Sequence, residues 1–139
     1  MASNVFVYSS DYKKTVDVGN GSLWHALHST AVFKISNDDI DLLQFAMIFL
    51  DSSTCHRDDA QITARQMELL KKRLAKIPPN EVVYDMNDIR KKAPWGDFIS
   101  ESITSCADLF TTADGKNLLD EIITLLKYAD KSNTDIIVM

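Results

Sequence analysis

The stretch AQITARQMELLKKRLAKI, residues 60–77, is the segment from which the rest of the chain is best understood. Ala60, Thr63, Met67, Leu70, Leu74 and Ile77 recur at alternating intervals of three and four, which on a helix draws one continuous apolar stripe. Lys71, Lys72, Arg73 and Lys76 crowd its C-terminal half, where cations suit the negative end of the helix dipole. Pro78-Pro79 then stops the helix, since proline offers no N–H to the ladder. A helix with one apolar face must bury it against other elements, so the flanking sequence has to supply them.

On the C-terminal side, Leu118, Leu119, Ile122, Ile123, Leu126 and Ala129 form a second stripe of helical period. Asp114-Gly115 is the expected cap of that helix, with Asp120 and Glu121 near its positive end and Lys127 near its negative end. On the N-terminal side, Ser36-Asn37-Asp38-Asp39 reads as a helix start. The run from Phe45 to Leu50 that follows is apolar nearly all round, which predicts a buried helix, with a buried strand for its second half as the alternative. Leu23, Leu27, Thr30 and Ala31 predict a further helix over residues 22–33, with Ser22 as its N-cap.

Strands are expected where β-branched and aromatic residues cluster between turn signals. Residues 4–8 and 15–18 predict a hairpin around Asp11-Tyr12, closed by Gly19-Asn20-Gly21. Residues 81–84 predict a middle strand and residues 134–138 a C-terminal one. Residues 89–113 read as irregular, with short structured pieces around Ile103 and Leu109-Phe110, and an irregular stretch of that length is often functional. The expected architecture is a single α+β domain over residues 1–139: a small, mostly antiparallel sheet packed against about four helices.

Composition limits the function. A chain of 139 residues can bury a core without disulfides or metals, and 45% apolar with 25% charged residues is ordinary for a globular protein. Cys55 and Cys106 belong to no CxxC pattern, and reduced thiols in a cytoplasmic chain are expected. Met1-Ala2-Ser3-Asn4-Val5 has neither a basic region nor an apolar core of a secretion signal, and residues 45–50 are too few to span a bilayer. The net charge of −5 argues against nucleic acid or an anionic membrane as partner. That charge comes in blocks: residues 38–59 carry six Asp and one Arg, residues 60–92 eight Lys/Arg and four acids, residues 93–139 eight acids and three Lys. An acidic block is either a solvated face or a contact surface for a cationic partner.

Candidate chemistry is thin. His25 and His28 stand three apart on a predicted helix, but a metal needs further ligands, and His56 and Cys55 reach them only through an unproved tertiary contact. Cys55-His56 as a nucleophile pair lacks the orienting third group, and adjacent residues on a helix point apart. The acid pairs Asp38/Asp39, Asp58/Asp59 and Asp120/Glu121 sit at expected helix starts, where the dipole explains them. No phosphate-binding glycine loop or nucleophile elbow occurs. Neither an enzyme nor a cofactor or metal protein is expected. A binding protein is.

One stretch favours that reading. In residues 93–104, Pro94 holds Ala93 extended, Trp95 is a large aromatic in a polar loop, and Gly96 lets the backbone turn beside it. Trp95 either plugs the core or anchors a partner together with Asp97 and Glu101. This segment, with Gly19-Asn20-Gly21-Ser22-Leu23-Trp24-His25, His28-Ser29-Thr30, Pro78-Pro79-Asn80 before Val82-Val83-Tyr84-Asp85, and Phe110 to Leu118, resembles the immunity protein 70 family of bacterial polymorphic and contact-dependent toxin systems. The resemblance runs in order from about residue 15 to 130. It implies inhibition by tight binding to a cognate toxin's C-terminal domain, basic and nuclease-like, by a chain that is a monomer or weak dimer when free. The contacts are expected at Asp38, Asp39, Asp41, Asp58, Asp59, Trp95, Asp97, Phe98 and Glu101. The alternative is a non-catalytic adaptor or oligomerisation module that associates through residues 45–50.

Overall fold

The structure, a computed structural model, describes residues 4–88, 90–91 and 100–139. Strand β1 (Asn4–Ser9) pairs antiparallel with β2 (Thr15–Asn20), so that Val7, Val16 and Val18 point into the core at the period of two that a strand dictates. The turn between them is fastened by Asp11, whose carboxylate accepts hydrogen bonds from Ser9 Oγ (2.6 Å), the Lys13 N–H (3.0 Å) and Tyr128 Oη (2.6 Å). These donors, Ser9 first, hold the Asp11 carboxyl down at about 2. The last strand, β4 (Ile136–Val138), pairs antiparallel with the other edge of β1, and the two-residue β3 (Thr54–Cys55) pairs with β4. The sheet order is therefore β2-β1-β4-β3.

Helices cover this sheet. They are α1 (Gly21–Lys34), the short α2 (Asn37–Asp41), α3 (Gln44–Ser52), α4 (Ala60–Leu74), the short α5 (Cys106–Leu109) and α6 (Leu118–Ser132). The α+β class and antiparallel sheet are as the sequence predicts, with two short helices in addition to four long ones. Helix α4 is the pivot, packed against α3 on one flank and α6 on the other. Its stripe residues Ala60, Thr63, Met67, Leu70 and Leu74 are buried, as are Leu118, Leu119, Ile122, Leu126 and Ala129 of α6. Burial of that many large side chains, at about 1.5–3 kcal/mol each, is the main stabilising contribution to the fold.

The middle strand expected at residues 81–84 is absent. A single 3₁₀ turn, Pro79–Glu81, occupies its start, and the Val83 N–H is bonded to the side chain of Thr30 rather than to a neighbouring strand. The additional strand is β3, where Cys55 faces the core. Both helix caps also shift. Asn20, in an extended conformation, caps α1 by accepting the Ser22 N–H (2.9 Å), which puts Ser22 inside the helix. Asn117 caps α6 by accepting the Asp120 N–H (3.1 Å). Gly115 instead turns the chain just upstream, at a φ of +83° that suits glycine. In that turn the Thr112 hydroxyl donates to Asp114 and accepts the Lys116 N–H, while the Ala113 N–H reaches Asp17 C=O. The turn thus takes up one of the carbonyls that β2 would leave open at the sheet edge.

Candidate functional site

The motif residues of α1 are engaged with the 82–88 segment. His25 Nε2 lies 3.0 Å from Asp85 Oδ1, and since a carboxylate only accepts, Nε2 carries the proton. That bond, with a second from the Asn87 N–H, lowers the Asp85 carboxyl below its usual range. One turn on, Ser29 Oγ donates to His25 C=O (2.7 Å) and accepts the Met86 N–H (2.9 Å). The buried Thr30 Oγ1 donates to Ala26 C=O (2.8 Å) and accepts the Val83 N–H (3.0 Å). Three groups on one helix face therefore bind a segment that has no ladder of its own. This is a structural clamp: these polar groups bond one another across the contact between α1 and residues 82–88.

The remaining chemical candidates are also accounted for. His28 is pushed below its ordinary pKa, chiefly by burial, with the Asp51 charge acting against it. His56 Nδ1 accepts the Asp58 N–H (3.1 Å) and so caps the 3₁₀ turn Arg57–Asp59. Cys55 and Cys106 are free and buried. Burial pushes the Cys106 thiol up to about 12, and it donates to Pro78 C=O (3.4 Å). Burial also raises Cys55, which lies 3.5 Å from Thr63 Oγ1. Burial thus disfavours the nucleophilic thiolate form at both positions. Among the described residues no group of three or more His, Cys, Asp or Glu is placed to hold a metal ion, and no helix is long and apolar enough to cross a membrane.

The surface of α3 is different. Ala46, Phe49 and Leu50 pack inward, where Phe49 meets Trp24 edge-on at a centroid distance of 5.6 Å and the Trp24 indole N–H donates to Leu50 C=O (3.3 Å). The opposite face is apolar but open to solvent: Ile48 is 62% exposed and Phe45 36%, and Leu42, in the turn between α2 and α3, is 56% exposed. The expectation that residues 45–50 are wholly buried thus fails on that face: α3 lies on the flank of the bundle, with α1 and α4 covering only its inner side. Helix α3 lacks a side-chain cap of its own. Gln66 of α4 supplies one, its Oε1 accepting the N–H groups of Phe45 (2.7 Å) and Ala46 (3.1 Å). The exposed Ile62 of α4 lies one turn from Gln66 on the same side of that helix.

The five aspartates of the first acidic block expected as contacts are not one cluster. Asp38 and Asp41 are exposed on α2 beside this apolar face and form no ion pair with the described residues, whereas Asp39 turns inward to Arg73 Nε (3.4 Å). Asp58 and Asp59 stand at the N-terminal end of α4, and Arg73 near its C-terminal end, so the two groups are about 20 Å apart by helical rise. Glu101 is exposed, five residues before Cys106, whose N–H bonds Ile77 C=O beyond the C-terminal end of α4. Trp95, Asp97 and Phe98 lie outside the described residues. The basic half of α4 is partly neutralised from elsewhere: Lys71 reaches Asp120 (2.5 Å) and Arg73 reaches Asp39. Asp51, not singled out in the sequence, lies at the other end of α3; it forms no hydrogen bond or ion pair with the described residues, though its charge is felt by His28 of α1. Its signal was available: an acid in the last turn of a helix opposes the dipole and needs another reason to be there.

Among the described residues, then, the polar clamp joins α1 to residues 82–88, both thiols are buried, and an apolar face on α3 lies open to solvent beside exposed acids. Residues 3–138 match the family model described as immunity protein 70, and the chain belongs to that family. No curated protein and no solved structure matches it.

Proposed function

We propose that this chain protects a bacterial cell by binding the C-terminal domain of one cognate toxin in the cytoplasm, that it does no chemistry itself, and that the toxin is a nuclease. The observation that carries the reading is family membership over nearly the whole chain, since an immunity protein acts on a cognate toxin. The net charge of −5 supports the nuclease part. A nuclease holds phosphate through a basic surface, and an acidic inhibitor is steered to that surface and competes with nucleic acid for it.

A second reading, a self-associating module, is favoured by one observation, the exposure of Leu42, Phe45 and Ile48. Co-expression separates the two. The chain is expected to restore growth to cells making the toxin domain encoded beside it and to co-purify with that domain. Sedimentation of the chain alone is expected to give a monomer or weak dimer. A tight homodimer, with neither rescue nor co-purification, supports the module instead.

A further inference from the structure

We propose that the outer face of α3 is the surface that receives the toxin, and that the toxin presents to it an apolar patch with a cationic rim. This rests on the immunity reading above. The centre is Leu42, Phe45 and Ile48, three apolar side chains held open to water along one side of the bundle. Interfaces concentrate their binding energy in such a desolvated apolar centre, and exposed apolar patches rimmed by polar groups mark interaction sites.

The rim selects the occupant. Asp38 and Asp41 lie at the N-terminal end of the patch and Asp51 at its C-terminal end, none of them in an ion pair with the described residues. Asp51 sits in the last turn of α3, where the dipole disfavours an anion and no basic residue of that turn offsets it; the imidazole of His28 on α1 lies within reach of its charge. A second copy of the same face would bring like charges together at both ends, whereas Lys or Arg on a partner would meet three carboxylates that form no ion pair with the described residues. The face is also rigid before binding. Gln66 fixes the first turn of α3, and the Trp24–Phe49 contact with the Trp24–Leu50 hydrogen bond fixes its inner side. Little ordering cost then remains to be met on association.

The test is binding of the toxin domain encoded beside this chain, measured as association and dissociation rates at low and moderate salt. Four proteins are compared: wild type, Ile48→Lys, Asp41→Lys and Asp130→Lys. Asp130 is exposed on α6, away from this face, and its substitution changes net charge as much as Asp41→Lys does. Ile48→Lys is expected to weaken binding by about 30-fold or more, the scale of a central anchor. Asp41→Lys is expected to slow association about tenfold at low salt with dissociation little altered. Asp130→Lys should stay within about twofold of wild type, because rim electrostatics act locally at moderate salt. Unfolding midpoints check that all four are folded. If Ile48→Lys fails to fold, Ile48→Ser, which removes the apolar contact without adding charge, takes its place with a smaller loss expected. If the wild type binds and the α3 variants bind equally well, the assignment of this face is wrong while the immunity reading stands. If the wild type itself neither binds nor rescues, both fall. A homodimer that Ile48→Lys dissolves overturns the cationic occupant in favour of a second copy.

Discussion

The two sides of the α1–α3 pair put their residues to opposite uses. Where α1 meets residues 82–88, His25, Ser29 and Thr30 each find a partner, and the polar groups of Asp85, Met86 and Val83 are consumed within the fold. On the outer face of α3, apolar side chains stand open to solvent and three carboxylates nearby form no ion pair with the described residues. The α1 side carries the sequence patterns that resemble the family, while the α3 face has the composition of ordinary core. The contrast teaches that the family-like patterns fall where polar groups hold this fold together, while an open face under no packing constraint can be composed of residues with no pattern at all.

The comparison can be broken most forcefully at Trp24, which touches both regions. Trp24→Ala removes the packing on Phe49 and the bond to Leu50 C=O, and a cost of about 3–5 kcal/mol is expected in a urea titration. A loss under about 1 kcal/mol would mean that α3 is not anchored from α1. Thr30→Val keeps the shape but leaves the Val83 N–H unbonded, so about 1–3 kcal/mol should be lost while toxin binding is retained once the protein is folded. Ile48→Ser is expected to do the reverse, changing stability by no more than about 0.5 kcal/mol because the side chain is already in water.

The smallest effect is a pH dependence. Asp11 has a folded pKa of about 2 against an ordinary 3.8, so the unfolded chain binds the proton first. Its contribution to stability is complete well above the ordinary value and disappears as pH falls towards about 2. Asp11→Asn should therefore flatten the acid limb of a stability–pH curve over that window. An unchanged slope would mean that the Ser9 and Tyr128 bonds do not persist in solution.

How much of this was legible in the sequence follows from the range of the forces involved. Helices α4 and α6 were, because each buries one face and so writes a 3.6-residue period into consecutive residues. The hairpin was legible through its clustered β-branched and aromatic residues and its Gly-Asn-Gly ending. Residues 81–84 misled because Val82 and Val83 suit a strand, yet a side chain 53 residues away, Thr30, claims the backbone. The two residues of β3 have no local signal, since only pairing with β4 makes them a strand. The caps moved by two or three residues because Asn20 and Asn117, not their better-known neighbours, have the extended backbone a cap requires.

The candidate surface was half legible. The acidic block at residues 38–59 was visible, but its division between free Asp38 and Asp41, paired Asp39, and Asp58 with Asp59 at the far end of α4 depends on tertiary placement. The apolar run at residues 45–50 was visible too, and in the sequence its surplus could only be read as burial. An amphipathic helix covered on one side needs only one apolar face. Phe45 and Ile48 exceed that need.

Amide hydrogen exchange of the chain, free and bound to the neighbouring toxin domain, tests the central claim most directly. Binding is expected to slow exchange in peptides spanning residues 38–52, with little change across residues 82–88, already clamped to α1. Protection centred on residues 82–88 with none over α3 would contradict it.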